Sequence, residues 1–199
     1  MAYIVILLLY IVGADLSPCL RAIAMSTMKN PQSILVIDSL SKENTPEQTV
    51  ISFLKWYRDN ENRVKQHILV KGGLTDTTTF YSIDYKGTEA YLAELKKSKF
   101  LSNTFLKNLR EYFIECDRKL KEHPLNDGPP WGFEADLIMK CQDYMDVWVY
   151  INKAKVIKKK INGNKARIIL HFVANYKMDF TLTRIKNKWL IDSIDNVFN

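Results

Sequence analysis

The switch from helical spacing to strict alternation near residue 148 constrains this chain more than any other feature. Ala166, Ile168, Leu170, Phe172 and Ala174 alternate with Arg167, Ile169, His171 and Val173, which marks a strand with one face more apolar than the other. Asn162-Gly163 is a strong hairpin signal and joins this strand to a preceding one over 147–161. Two more strands are predicted, over 179–185 after the Asn175-Tyr176-Lys177 turn and over 189–194 after Lys186-Asn187-Lys188.

Upstream, the period is that of a helix. Thr45 can cap, Pro46 suits the first helical position and Gln48 completes a capping box. Val50, Phe53, Leu54 and Tyr57 then share one helical face. Gly72-Gly73 ends this region or turns the chain, and 77–85 reads as a short β-rich stretch. Lys86-Gly87-Thr88 is expected to turn into a helix over 89–99, whose apolar side is Tyr91, Leu92 and Leu95. Ser102 can cap a longer helix whose inner face is Phe105, Leu106, Leu109, Tyr112, Phe113, Cys116 and Leu120. Pro124 stops it, and Gly and Pro make 126–132 a loop. Helices first and an antiparallel four-strand meander second is an α+β arrangement. A curved sheet of four or more strands closing over the helices would form a cone with a cavity inside.

Residues 3–12 (YIVILLLYIV) are uninterruptedly apolar. At 1.5 Å per residue they fall well short of a hydrocarbon core of about 30 Å, but they suit the apolar part of a secretory signal. Val12-Gly13-Ala14 and Ala22-Ile23-Ala24 supply small residues for cleavage, although no Lys or Arg precedes the run. The organisation expected is a signal peptide over 1–24, a linker over 25–44 and a folded domain over 45–199. That places the domain outside the cytoplasm, periplasmic or secreted. Leu16-Ser17-Pro18-Cys19 resembles a lipoprotein box, with Pro18 where a small residue is usual, so lipidation at Cys19 ranks below simple export. Membrane association is expected only through the signal segment or such an anchor.

Composition bounds the rest. With 199 residues, 47% hydrophobic and 26% charged, the chain can bury and solvate one core. Disordered, collagen-like and polytopic membrane classes are excluded. The formal net charge is +7, and its densest cluster is Lys153, Lys155, Lys158, Lys159 and Lys160, continued by Lys165 and Arg167. On a hairpin these side chains are solvated and blunt a sheet edge. Specific nucleic-acid binding would call for interleaved aromatic platforms or a groove-entering helix, and the cluster has neither.

The segments PEQTVISFLKWY at 46–57, FEADLIMKCQDYMDVW at 133–148 and KNKWLIDSIDN at 186–196 carry a family likeness. In their order the chain resembles the nuclear-transport-factor-2-like (cystatin-like α+β cone) superfamily, and within it the bacterial domain-of-unknown-function family 3828. The resemblance covers roughly 45–196 and implies fold and export. It transfers no catalytic residue.

His67, His123 and His171 lack metal-ligand spacing, and no serine-hydrolase, Walker or dinucleotide motif occurs, so no metal or cofactor is expected. Asp136, Asp143 and Asp146 lie close to Tyr144, Tyr150 and Trp131. Asp143 with Tyr144 or Tyr150 is the weak catalytic option, since a buried carboxylate beside a phenol can serve as an acid–base pair. The competing reading has Asp143 bracing a loop. Pocket-wall candidates are Trp56, Tyr57, Trp131, Tyr144, Tyr150 and His171. In an exported protein, Cys116 and Cys141 stand to be bridged or to remain two buried thiols, because spacing alone does not give their Cα separation.

Three functions follow as expectations. The first is non-catalytic binding of a small molecule or peptide in the cavity. The second is a protein-interaction module, such as an envelope subunit or an immunity-type, toxin-neutralising partner. The third is a small isomerase or dehydratase. The balance leans away from an enzyme, and a homodimer is compatible with the sequence.

Overall fold

The computed structural model describes residues 44–73 and 78–197. The expected signal peptide, the expected linker up to residue 43 and Cys19 lie outside the described residues. The described chain is α+β, with helices packed on a four-stranded antiparallel sheet.

Helix α1 (Pro46–Lys65) begins as its sequence dictates. Thr45 Oγ1 accepts the Gln48 N–H at 3.3 Å while Gln48 Oε1 accepts the Thr45 N–H at 3.0 Å. Its inner face buries Val50, Phe53, Leu54 and Tyr57 completely. Two short strands follow, β1 (Val70–Lys71) and β2 (Ser82–Ile83), paired antiparallel.

Helix α2 (Tyr85–Lys96) starts earlier than its sequence suggests. Asp84 caps it by accepting the N–H groups of Lys86 and Gly87, so Lys86-Gly87-Thr88 is a first helical turn and not a reverse turn. Gly87 is there for space. A Cβ at that position would lie 1.6 Å from the Ile68 carbonyl oxygen. Helix α3 (Asn103–Glu122) is capped by Ser102, whose Oγ accepts the Phe105 N–H at 3.1 Å. Phe105, Leu106, Leu109, Phe113, Cys116 and Leu120 turn inward, with Tyr112 half-buried beside them.

The region around Trp148 departs from the expected strand. Residues Met145–Tyr150 form helix α4, followed by a single 3-10 turn, Ile151–Lys153. The strand expected over 147–161 does not begin there, because Val147 and Ile151 are both 1% exposed and lie one helical turn apart. Burial of that pair overrides local propensity.

The sheet is β3 (Lys155–Asn162), β4 (Lys165–His171), β5 (Lys177–Ile185) and β6 (Lys188–Asn196), in that order. Register places Ile168 opposite Phe180, and Phe180 opposite Ile194, on the face that packs against α1 and α3. Irregularities in pairing fall between Val156 and Lys158 and between Thr181 and Leu182. The Asn162-Gly163 hairpin forms as expected, with Gly163 at φ +58°.

The two sheet edges differ. Against β6, the Ile191 N–H donates to Phe100 O at 2.8 Å and the Ser102 N–H to Ile191 O at 2.9 Å, so residues 100–102 bridge that edge at Ile191. Among the described residues, no strand pairs with the outer edge of β3. No described helix is long and apolar enough to cross a membrane.

Candidate functional site

A cleft of about 410 Å³ opens between the end of α1, α2 and the 133–144 segment. Tyr57, Tyr91, Phe133 and Tyr144 supply aromatic walls, Lys65 and Asp136 the polar floor, and His67, Glu134 and Gln142 further polar groups. Its size falls within the usual range for small-ligand sites.

The 133–144 segment is irregular, so side chains must hold it in place. Asp136 does most of this. Its Oδ1 accepts the N–H groups of Ile138 at 2.9 Å and Met139 at 2.7 Å, closing a tight turn. Its Oδ2 accepts the Tyr57 hydroxyl at 2.8 Å and lies 3.0 Å from Lys65 Nζ. From the turn before β5, the Tyr176 hydroxyl donates to Met139 O, and from the end of β6 Asn196 Nδ2 donates to Lys140 O at 2.6 Å. Gln142 Nε2 bonds to Glu134 O at 2.7 Å.

Lys65 is the hub of the floor. Its ammonium sits 2.7 Å from Glu61 Oε1, bonds to the Tyr144 hydroxyl and lies 4.7 Å from the centroid of the Tyr144 ring. Tyr144 in turn donates to Glu61. Trp148 meets the edge of Tyr144 with centroids 5.5 Å apart.

The electrostatics lock these charges. Burial opposes the charge on Lys65, but its bonds to Glu61 and Tyr144 and the adjacent Asp136 carboxylate outweigh that and raise its pKa. Burial also works against ionised Glu61, yet hydrogen bonds from Lys65 and Tyr144 hold it below the usual carboxylate range. Burial and the bond to Glu61 push Tyr144 up to about 12. Burial, the neighbouring Tyr91 phenol and the Asp136 carboxylate raise Tyr57 further still. Thus Lys65 and Glu61 remain charged near neutrality while both phenols remain protonated. General acid–base catalysis works best with a group whose pKa lies near the operating pH, and these four groups are tuned away from it.

The sequence candidates are only partly brought together. Tyr57 and Tyr144 line the cleft. Trp56 stacks on Phe53 at 6.3 Å outside it, and Trp131 stands on the surface beneath Lys119. Tyr150 lies under Lys153, and the His171 ring bonds to Ala174 O at 2.6 Å on the sheet. Asp143 is exposed and does not line the cleft, so the acid–base pairing of Asp143 with Tyr144 or Tyr150 is not assembled. Asp136 is the inward carboxylate instead. A sequence signal for it exists: an aspartate directly before the apolar run Leu137-Ile138-Met139, placed to accept their N–H groups.

Of the two alternatives for Cys116 and Cys141, the structure has the unbridged one: both are free thiols, Cys116 buried and Cys141 partly buried. Cys116 is buried on α3 against Gly132, where a Cβ would approach its sulfur to 2.6 Å. The Cys141 thiol donates to Asp143 O at 3.2 Å. Each sulfur is engaged in a different place. Among the described residues, no group of His, Cys, Asp and Glu side chains is arranged to hold a metal ion.

No family model and no curated protein matches this chain. Among solved structures, it is similar to a chain of the native type VI effector–immunity complex Tae3–Tai3 from Ralstonia pickettii, with a TM-score of 0.46 and 19% identity. That match covers 78% of this chain and 98% of the other. The selenomethionine form of the same complex gives a TM-score of 0.42 at 19% identity, with the same coverage of 78% and 98%.

Proposed function

We propose that this chain is a non-catalytic binding domain whose cleft holds a peptide segment of a protein partner. The observation that carries this reading is the mutual saturation of the cleft floor. Lys65, Glu61, Asp136, Tyr57 and Tyr144 satisfy one another, leaving shape and aromatic surface as the main offer to a ligand. Glu134 and Gln142 add exposed polar groups at the wall, and His67 Nε2, itself buried, has no hydrogen-bond partner among the described residues. A peptide suits the rim better than a free small molecule does. Ile68 and Met145 each adjoin a cleft-lining residue in sequence and are 65% and 64% exposed. Large apolar side chains beside an aromatic cleft are typical of surfaces that meet another protein.

The resemblance to the nuclear-transport-factor-2-like superfamily and to family 3828, with its cone-shaped sheet, belongs to the same proposal. So does export, which N-terminal sequencing of the protein from its native host tests. An intact Met1 in a cytoplasmic fraction would overturn it.

Selection of a random phage-displayed peptide library on the immobilised chain tests the main reading. Enriched peptides are expected to bind at least about tenfold more weakly to Ile68→Asp and Met145→Asp, the range of a lost apolar contact. Peptides indifferent to both substitutions would overturn it. So would a small metabolite that raises Tm and protects the cleft while no peptide is enriched.

A further inference from the structure

We infer that β3 is a docking edge for an acidic, extended segment of another protein, on a surface that shares no residue with the cleft. All eight residues of β3 are exposed, including Val156, Ile157 and Ile161 at 44%, 52% and 46%. Its outer edge leaves main-chain groups unpaired among the described residues, the arrangement that strand addition uses.

Register sorts the side chains of β3 onto two faces. Val156, Lys159 and Ile161 stand opposite Leu170, Ile168 and Ala166, on the side of the buried face. Lys159 is spoken for there, since it pairs with Glu47 of α1. Lys155, Lys158 and Lys160 stand opposite His171, Ile169 and Arg167, on the other side. None of these three lysines has an acidic partner among the described residues, whereas Arg167 is paired to Asp179.

Lysines on an edge strand normally prevent pairing with a strand of like kind. Here they also select the partner. A second copy paired antiparallel through β3 would set one row of three lysines against another. An acidic strand instead gains three ion pairs while supplying the missing ladder. Alternation fixes its pattern further. A complementary strand carries Asp or Glu at every second position, facing Lys155, Lys158 and Lys160, and aliphatic residues between them, covering Val156 and Ile161.

The test uses the full chain and a fluorescein-labelled octapeptide of alternating Val and Glu, read by anisotropy at low and physiological salt. Binding is expected to weaken with salt and to fall about tenfold in the Lys155→Glu/Lys158→Glu/Lys160→Glu variant, as the loss of three exposed ion pairs implies. Amide exchange is expected to slow along 155–162 when the peptide binds. The matching Val-Lys octapeptide is expected not to bind. Affinity unchanged by the triple substitution, or no slowing along 155–162, overturns the inference. So does tighter binding of an oligothymidylate than of the acidic peptide, or a dimer of this chain formed through β3.

Discussion

The Tyr57 hydroxyl donates to Asp136 Oδ2 at 2.8 Å across 79 residues of chain, tying the fully buried inner face of α1 to the irregular segment that walls the cleft. The same carboxylate oxygen faces Lys65, and its companion oxygen accepts two backbone N–H groups. One aspartate therefore sets the cleft's shape and supplies part of its charge.

Removing that carboxylate should be costly. Asp136→Ala leaves the buried Tyr57 hydroxyl and the Ile138 and Met139 amides without an acceptor, an expected loss of about 2–4 kcal/mol. Asp136→Asn keeps an acceptor for the turn and is expected to lose less, about 1–2 kcal/mol. Urea midpoints of the two variants check the order. Equal losses would mean that the turn amides contribute nothing.

Acid should weaken the same network. Burial alone would raise Glu61, but bonds from Lys65 and Tyr144 leave its pKa lowered in the folded chain. Its contribution is fully present above the unfolded carboxylate pKa, about 4.3, and is lost as pH falls through the lower folded value. Melting temperature measured from pH 7 downward should decline below that point. Glu61→Gln should flatten part of the decline.

Gly87→Ala reverses an ordinary expectation. Alanine inside a helix usually stabilises relative to glycine by up to about 1 kcal/mol. Here the new Cβ would lie 1.6 Å from the Ile68 carbonyl oxygen, and backbone yields poorly. A loss of at least about 2 kcal/mol is expected, read as a lower midpoint in thermal melts followed by circular dichroism.

The two described thiols should separate by reactivity. Burial pushes Cys116 up to about 11, leaving little thiolate at mildly alkaline pH. Cys141 is only partly buried. Timed alkylation with peptide mapping by mass spectrometry should label Cys141 first and Cys116 only under denaturing conditions.

Much of the fold was legible because it is set locally. The Thr45 and Ser102 caps, the Asn162-Gly163 turn and the alternation of Ala166 to Phe172 each depend on neighbours a few residues away. The misreadings have the opposite character. Met145–Tyr150 is helical because Val147 and Ile151 bury together, and Gly87 is required by a carbonyl on a separate segment. Asp136 outranks Asp143 only because Tyr57 and Lys65 lie across from it in space. Two aspartates so close in sequence look alike until α1 is placed beside them.

The unequal edges of the sheet also set where backbone is already engaged. Residues 100–102 bridge β6 at Ile191, and among the described residues no strand pairs with the outer edge of β3. A strand approaching β6 would first have to displace the Phe100 and Ser102 backbone bonds, whereas one approaching β3 would meet a bare ladder.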